Sequence, residues 1–454
     1  MSNLVEALKN IVKDDQVSNQ ADHLNLVSKD ESTLDPVTPQ AVVWPQTAEE
    51  VAAVVKYCYE NNIIITTRGA GSALEGSTIP SENGLVLDLS RMTKIIDFWP
   101  DDLQVKVEPG IIYDDLNNHL KNEGLFFPPS PGGSGDIATV GGMVATNASG
   151  IYSVKYGGTK EYVLELEIVT ATGKKMKIGN RAIKRSSGYN LVELIAGSEG
   201  TLAVITAVTL KLAGLPEGRL KTAFKFQTEV EAAKAVSEMR KYGLDLAAVE
   251  FLDRQVMKAL NQLKDYKLEE VPALFLEFHG PEAVLSSNYE LAESICEELN
   301  GTKLELGDGH NPWEIRHYVT DAIKYLKKGY AIIRNDVAFP ISRLPEMVEY
   351  CHELGDRYGI LVHTFGHVGL GLLHALMLAN PSDEDDWAKG LEISDLIIKK
   401  SIEFEGTISG EHGIGLGHKN LFEAEHGQSV NLMKAIKAQL DPKNILNPGK
   451  IFDI

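Results

Sequence analysis

The sequence is short of cysteine, of positive charge and of long apolar runs, and each shortage closes off a class of function. Three cysteines, Cys58, Cys296 and Cys351, stand far apart in 454 residues, and no two form a CxxC pair. Thiolate-bound zinc and iron–sulfur clusters therefore lack a ligand set. Each cysteine falls in a helix-like pattern, so buried thiols are expected. The pattern suits a reducing cytosol, and a cytoplasmic location is the expectation. Lys and Arg number 44 against 64 Asp and Glu, a net charge of -20. Nucleic acid is excluded as a partner, because binding it relies on cations that neutralise phosphates. No run of about eighteen apolar residues occurs, so no transmembrane segment is expected. Residues 1–16 have helical spacing with charges throughout and no apolar signal core.

What the chain has instead is glycine, concentrated in Pro128–Gly158, PPSPGGSGDIATVGGMVATNASGIYSVKYGG. This stretch carries almost no charge and packs poorly as an ordinary core. Its glycines let a ligand approach the backbone, and runs of amides form nests for anions. A loop of this length without a role is uncommon in a compact domain. The stretch therefore reads as a cradle for a large, phosphorylated cofactor. A second loop, Arg68–Gly76 (RGAGSALEG), joins the expected strands Ile63–Thr67 and Leu85–Leu89. Its glycine spacing is not that of the Rossmann fingerprint, and no helix opens from it.

The rest of the first half reads as a mixed α+β body. Residues 1–35 look like a short helix and a polar lead-in. Thr47 with Glu50 signals a capping box, and Val51, Val54, Val55 and Cys58 share one helix face. Gly214–Gly218 (GLPEG) marks a boundary. Beyond it, strand and helix patterns at Leu220–Phe226, Glu229–Tyr242, Leu246–Phe251, Ala273–His279, Glu282–Asn300 and Thr302–Leu306 make two βαβ-like units. These suggest a ferredoxin-like antiparallel sheet with helices on one face. Trp313–Lys328 reads as one helix, Leu361–Leu378 as a glycine-interrupted β segment, and Asp441–Ile454 as a turn-rich tail.

Chemistry-bearing residues gather in the second half. In GHVGLGLLH, His367 and His374 would lie roughly 23 Å apart on a straight strand. Only a turn at Gly369 and Gly371 could bring them together as metal ligands. SGEHGIG sets Glu411 beside His412, a carboxylate and a candidate base. Arg316 and Thr320, four apart on the expected helix, and Arg334 are candidates for gripping a carboxylate. Taken alone, the two histidines read equally well as structural residues, and for Arg316, Thr320 and Arg334 a solvated helix face is the better reading.

Taken together, RGAGSALEG, PPSPGG, VGGMVATNASG, KYGGT and GSEGTLAVIT resemble, in order and spacing, the FAD-binding domain of the vanillyl-alcohol-oxidase type. RNDVAFPISRLP, GHVGLGLLH, SGEHGIG and LNPGK are similar to those of the flavin-linked D-2-hydroxyacid dehydrogenases and oxidases. The resemblance covers nearly the whole chain after about residue 36. It implies an FAD-binding domain over 36–213, an inserted ferredoxin-like substrate (cap) domain over 214–415, and a C-terminal segment, 416–454, returning to the first, with residues 1–35 as a lead-in. It implies that FAD, bound non-covalently, is held by Arg68, Gly69, Ala70, Gly71, Ser72, Ala73, Pro131, Gly132, Gly142, Ala145, Thr146, Asn147, Ser149 and Gly150. Glu199, Gly200, Ile205 and Asn447 complete that set.

The resemblance also implies that His367, His374 and Glu411 hold a divalent metal, zinc or manganese, with His412 as base. Arg316 and Thr320 match the family's substrate-carboxylate residues, and Arg334 stands where a lysine is usual. The expected reaction oxidises a small 2-hydroxyacid to its 2-oxoacid and passes electrons to an external acceptor: oxygen, a quinone or an electron-transfer protein. A homodimer is left open. One departure stands out. The family's usual string between the two histidines is VGDGNL, and here Leu370 and Leu372 replace its Asp and Asn. Two alternatives share the fold: a flavin transferase of the alkyl-glycerone-phosphate synthase type and a non-catalytic flavin-binding subunit.

Overall fold

The structure is a computed structural model that describes residues 2–264, 266–306 and 310–454. The chain divides into two bodies. One comprises Met1–Ser149, Gly158–Leu215 and Glu411–Ile454; the other comprises Gly150–Gly157 and Pro216–Gly410.

The first body holds a four-stranded sheet in the order Val17–Ser18, Ala41–Val43, Leu85–Asp88, Ile65–Arg68. The last three run parallel and the first is antiparallel. The helix Ala48–Asn61 packs on it because Val51, Val54, Val55 and Cys58 recur at helical spacing and are all fully buried. Each such valine is worth about 1.5–3 kcal/mol on burial. Glu50 completes only half of the capping box. Its amide binds the Thr47 hydroxyl, but its carboxylate accepts the Gln46 amide and the Gln16 side chain. A second, antiparallel sheet runs Ile95–Trp99, Gln104–Val107, Val204–Lys211, Val163–Val169, Lys175–Gly179. The tail returns to the first sheet, where Ile65 and Leu446 form a parallel bridge.

Residues 1–35 differ from the expected lead-in. Val17 and Ser18 pair with Val43 and Val42, and Ala21–Val27 is a helix whose Leu24 and Val27 pack on Val42 and Val86. Two strand residues among acids and amides are too short a signal to read as periodicity. The glycine-rich stretch also contains a helix, Val140–Thr146, where a continuous loop was the expectation. The Thr139 hydroxyl caps it by accepting the Gly142 amide at 3.3 Å, which offsets the poor propensity of two glycines. The last residues of the stretch, Gly150–Gly157, fall in the second body, where Val154 meets Gly369.

The second body is built on one seven-stranded antiparallel sheet. Its order is Thr302–Lys303, Gly218–Lys225, Ala273–Gly280, Leu246–Leu252, Leu361–Gly366, Leu372–Ala379, Ala331–Ala338. The first four strands stand in the ferredoxin order 4-1-3-2 of their sequence. The other three repeat the pattern without a full fourth strand. Thr407 and Ser409 bridge to Ala338 and Asp336 where that strand would lie. Helices cover both faces, not one. Glu229–Lys241, Glu282–Glu298, Leu344–Tyr358 and Glu384–Glu403 line one side. Arg254–Leu263, Pro312–His317 and Val319–Tyr325 cover the other, packing Val256, Leu260, Ile315, Val319 and Ile323 on Phe275, Phe365 and Leu376.

All three cysteines are buried free thiols, and burial pushes each of them up. No helix among the described residues is long and apolar enough to cross a membrane.

Candidate functional site

In the first body a cavity of about 230 Å³ opens between the Thr67–Leu74 loop and the helix Val140–Thr146. Its walls approach as bare backbone. A Cβ added at Gly69 would stand 2.2 Å from the Thr139 hydroxyl, and one at Gly141 2.5 Å from Pro109. Arg68, Gly69, Ala70, Gly71, Ser72, Ala73, Pro131, Gly132, Gly142, Ala145, Thr146, Ser149, Glu199, Gly200 and Ile205 all line it. So do Ser77, Thr78, Pro109, Thr139 and Ala203, which the sequence expectation omits. Thr139, a helix cap just before VGGMVAT, carried a readable signal; the others did not.

Three expected residues do not line the cavity. Asn147 ends the helix with φ 53°, and its carboxamide oxygen accepts the Lys160 amide. Asn447 sits behind the wall and donates to the carbonyls of Ser77 at 3.0 Å and Glu199 at 2.7 Å. Gly150 lies in the second body. Arg68 lines the space, and its guanidinium is engaged by the protein's own backbone. It donates to the carbonyls of Lys29, Leu26 and Ala70, tying the N-terminal segment to the loop.

Two hydroxyls test whether this space fits a cofactor. Thr67 Oγ1 and Thr78 Oγ1 are buried with no hydrogen-bond partner, and both residues line the cavity. Buried polar groups cost free energy unless paired. An aromatic ligand with a polar edge would supply the missing partners, and FAD fits that description.

Glu411 and His412 also line this cavity. The segment that carries them is fastened by Glu199, whose carboxylate accepts the amides of Ile414 at 2.7 Å and Gly415 at 2.9 Å. Burial pushes Glu199 up to about 7 against the pull of those amides. The Ser149 hydroxyl donates to Glu411 at 3.0 Å. His412 Nδ1 stands 3.7 Å from Glu75 Oε1, and His418 Nε2 stands 3.2 Å from Glu75 Oε2. Burial raises Glu75, but the two imidazoles outweigh it and hold the carboxyl below its ordinary value.

In the second body, chemistry collects on one face of the sheet. A turn at Val368–Leu370 folds Leu361–Gly366 against Leu372–Ala379. Gly371 makes the turn possible, with φ 78° and room for no Cβ, since one would lie 2.0 Å from the Phe339 carbonyl. The turn brings the rings of His367 and His374 to 5.4 Å between centroids. His367 Nδ1 binds Glu250 Oε1, and His374 Nδ1 stands 3.4 Å from Asp336 Oδ1. At His367 a carboxylate on Nδ1 favours the tautomer whose Nε2 carries a lone pair, the arrangement of metal-binding histidines. This body supplies two imidazoles and the Asp336 carboxylate as candidate donors for a divalent metal. Glu411, the third ligand expected from the sequence, belongs to the first body.

Glu250 and Asp336 are both fully buried, and neither is in the sequence expectation. The sign of Glu250 was a single acid inside an apolar strand, LAAVEFL. Its other oxygen, Oε2, binds Arg316 Nε. Burial raises Glu250, but Arg316 and His367 together hold it at about 2. The Arg316 guanidinium lies 4.7 Å over the Phe365 ring. It has no other hydrogen-bond or ion-pair partner among the described residues, which leaves its terminal nitrogens for a ligand carboxylate. The single helix expected over 313–328 is in fact two, Pro312–His317 and Val319–Tyr325, broken at Tyr318 with φ -89° and ψ 2°. Arg316 and Thr320 thus stand on different helices, on either side of Tyr318. Arg334 lies across from Leu376, two residues from Asp336 on its strand and so on the same sheet face.

Residues 39–179 match the FAD binding domain family, and residues 215–451 match the family described as FAD linked oxidases, C-terminal domain. The chain is 33% identical to the D-lactate dehydrogenase [cytochrome], mitochondrial, of Arabidopsis thaliana, over 91% of this chain and 73% of that one. It is 33% identical to the glycolate oxidase subunit GlcD of Bacillus subtilis (strain 168), over 91% of this chain and 89% of that one. The fold is similar to that of p-cresol methylhydroxylase with substrate bound, at TM-score 0.84 and 17% identity, covering 99% of this chain and 96% of the other. The architecture is the vanillyl-alcohol-oxidase-type FAD fold, and the chain belongs to the family of FAD-linked oxidases, enzymes of the oxidoreductase class.

Proposed function

We propose that the protein oxidises a small D-2-hydroxyacid, D-lactate-like or longer and aliphatic, to the corresponding 2-oxoacid. Relatives named D-lactate dehydrogenase and glycolate oxidase subunit support the reaction class. The observation that carries the substrate reading is Arg316. It is a guanidinium anchored at Nε by a buried carboxylate, with its terminal nitrogens left for a carboxylate ligand. A planar guanidinium edge matches a carboxylate with two parallel hydrogen bonds.

In this reading FAD supplies the two-electron acceptor. A divalent metal, zinc or manganese, supplies a Lewis acid, with His367, His374 and Glu411 as its ligands. The residues of the chain do the rest. Arg316 binds the substrate carboxylate, with Thr320 and Arg334 as further contacts. His412 accepts the proton of the 2-hydroxyl at a ring nitrogen. The glycine-lined walls hold the cofactor without covalent attachment, since Arg68–Gly76 offers no His, Cys or Tyr. Electrons then leave to an outside acceptor.

The test is anaerobic mixing of the FAD-loaded protein with D-lactate, D-2-hydroxyglutarate and glycolate. Bleaching of the flavin by at least one of them is expected, and bleaching by none overturns the reading. Acid precipitation should release all of the yellow colour to the supernatant.

A further inference from the structure

The pairing at Glu250 carries an inference that deepens the proposed function and rests on its assignment of Arg316 to substrate and His367 to the metal. We propose that Glu250 is a positioning residue that couples the substrate grip to the metal ligand. One carboxylate binds both: Oε2 takes Arg316 Nε, and Oε1 takes His367 Nδ1.

The strand that carries Glu250 argues for a role beyond stability. Every residue of Leu246–Leu252 is buried, and Glu250 is the one acid among apolar neighbours. Burying an ion pair is weak as a stabiliser, since desolvation consumes much of the Coulomb gain. A leucine here would extend the apolar pattern of the strand. The acid is better explained by what it holds in place. The strand register fixes the carboxylate itself, with Glu250 paired to Phe275 and its neighbours Phe251 and Leu252 paired to Gly366 and Phe365. It therefore transmits a fixed position to two flexible side chains. At His367 it sets ring angle and tautomer, and at Arg316 it locks Nε so that the terminal nitrogens present one edge. Phe365 beneath the guanidinium fixes the plane of that edge.

A coupled role and a merely structural one differ in what moves when the acid is changed. Glu250→Gln keeps the shape and one acceptor but loses the charge and can bind only one partner as before. In the FAD-loaded protein we expect the Zn²⁺ or Mn²⁺ affinity, measured by titration in the absence of substrate, to fall about ten- to a hundred-fold. We expect KM for D-lactate to rise about ten-fold or more, with FAD content unchanged. Glu250→Asp, which shortens the reach, should show both losses in smaller measure and serves if the Gln variant does not fold. Metal affinity and KM both at the unmodified level in a folded variant overturn the proposal, and so does a change in only one of them. Arg316→Ala and His367→Ala are run beside these. If neither alters KM or metal affinity, the underlying functional reading fails. If both do while the Glu250 variants behave as the parent, the coupling alone fails.

Discussion

The two bodies differ in how they hold several of their buried charges. In the first body, three buried charged side chains are met chiefly by backbone groups. Glu199 takes two amides, Lys437 donates to the carbonyls of Thr201 and Leu446 as well as to Asp441, and Lys450 donates to Ile79. The second body pairs side chain with side chain, Arg316 and His367 on Glu250, and His352 on Asp253. At Gly69 and Gly141 the cavity wall of the first body leaves no room for a methyl group. The working face of the second is a set of charges held in side-chain pairs. The first should therefore fail when volume is added, and the second when charge is removed.

The largest effect should come from removing a charge. Arg316→Ala leaves Glu250 fully buried with one partner, and breaking such a pair costs about 3–5 kcal/mol. Denaturant unfolding should show that loss. Flavin reduction by D-lactate should slow at least a hundred-fold, while FAD content per chain stays at the parent level. Normal reduction by this variant would refute the place given to Arg316.

Adding volume to the other body comes next. Gly69→Ala puts a methyl group 2.2 Å from the Thr139 hydroxyl, closer than any real contact. Overpacking of this kind costs about 1–3 kcal/mol, and here the strain falls on the wall of the cofactor cavity. The variant should be purified with FAD content well below one per chain. Full occupancy would show that the loop yields freely and that the tightness of the walls is not what holds the cofactor.

The same contrast explains what could be read from the sequence. The cavity was legible because its signal is local. Segments such as RGAGSALEG and VGGMVATNASG keep their glycines close together in sequence, and most of the residues they supply do line the space. Glu250 and Asp336 were not legible. Each is one acid in a strand, and its partners lie 66 to 117 residues away in the case of Glu250. Only folding reveals that Glu250 meets Arg316 and that Asp336 lies opposite His374. The break at Tyr318 was hidden because Ile315, Val319, Ala322 and Ile323 keep helical spacing straight through it. Arg68 shows a different limit. Its place in a glycine-rich loop suggested a ligand contact, yet its guanidinium closes on three carbonyls of the protein itself.

A smaller effect sharpens the view that the second body depends on paired charge. Asp253 is fully buried and accepts from the Val256 amide, the Thr364 amide and hydroxyl, and His352. Burial works against both ions of the Asp253–His352 pair, yet their contact holds Asp253 below its ordinary 3.8 and His352 above its ordinary 6.5. The lowered carboxyl contributes stability above pH 3.8 that is lost as pH falls through its folded value. The raised imidazole contributes stability below pH 6.5 that is lost as pH rises through its folded value. The pair is thus fully effective between those limits. Unfolding free energy should fall as pH rises from about 6 past the folded value of His352. His352→Gln should flatten that slope. An unchanged slope would assign the pH dependence to other groups.

The smallest effect concerns Leu370 and Leu372, and the structure separates them. Leu372 is 4% exposed and lies against Gly410, on the same sheet face as His374 two residues on. Leu370 is 48% exposed in the turn before it. Only Leu372 is built into the face that carries His374, Asp336 and Arg334. An aliphatic wall there favours a substrate that is apolar beyond its 2-hydroxyl, because a second carboxylate would be desolvated without a partner. D-2-hydroxyisocaproate and D-lactate should therefore reduce the flavin faster than D-2-hydroxyglutarate. Leu372→Asn should shift that ratio toward the dicarboxylic acid, by no more than about ten-fold, the 1.4 kcal/mol that one added hydrogen bond commonly supplies. Leu370→Asp alone should leave the ratio close to that of the parent. Fastest reduction by D-2-hydroxyglutarate in the unmodified protein would remove the argument for Leu372. A ratio that responds to Leu370→Asp and ignores Leu372→Asn would place the specificity in the turn and leave the strand face to the metal and the carboxylate grip.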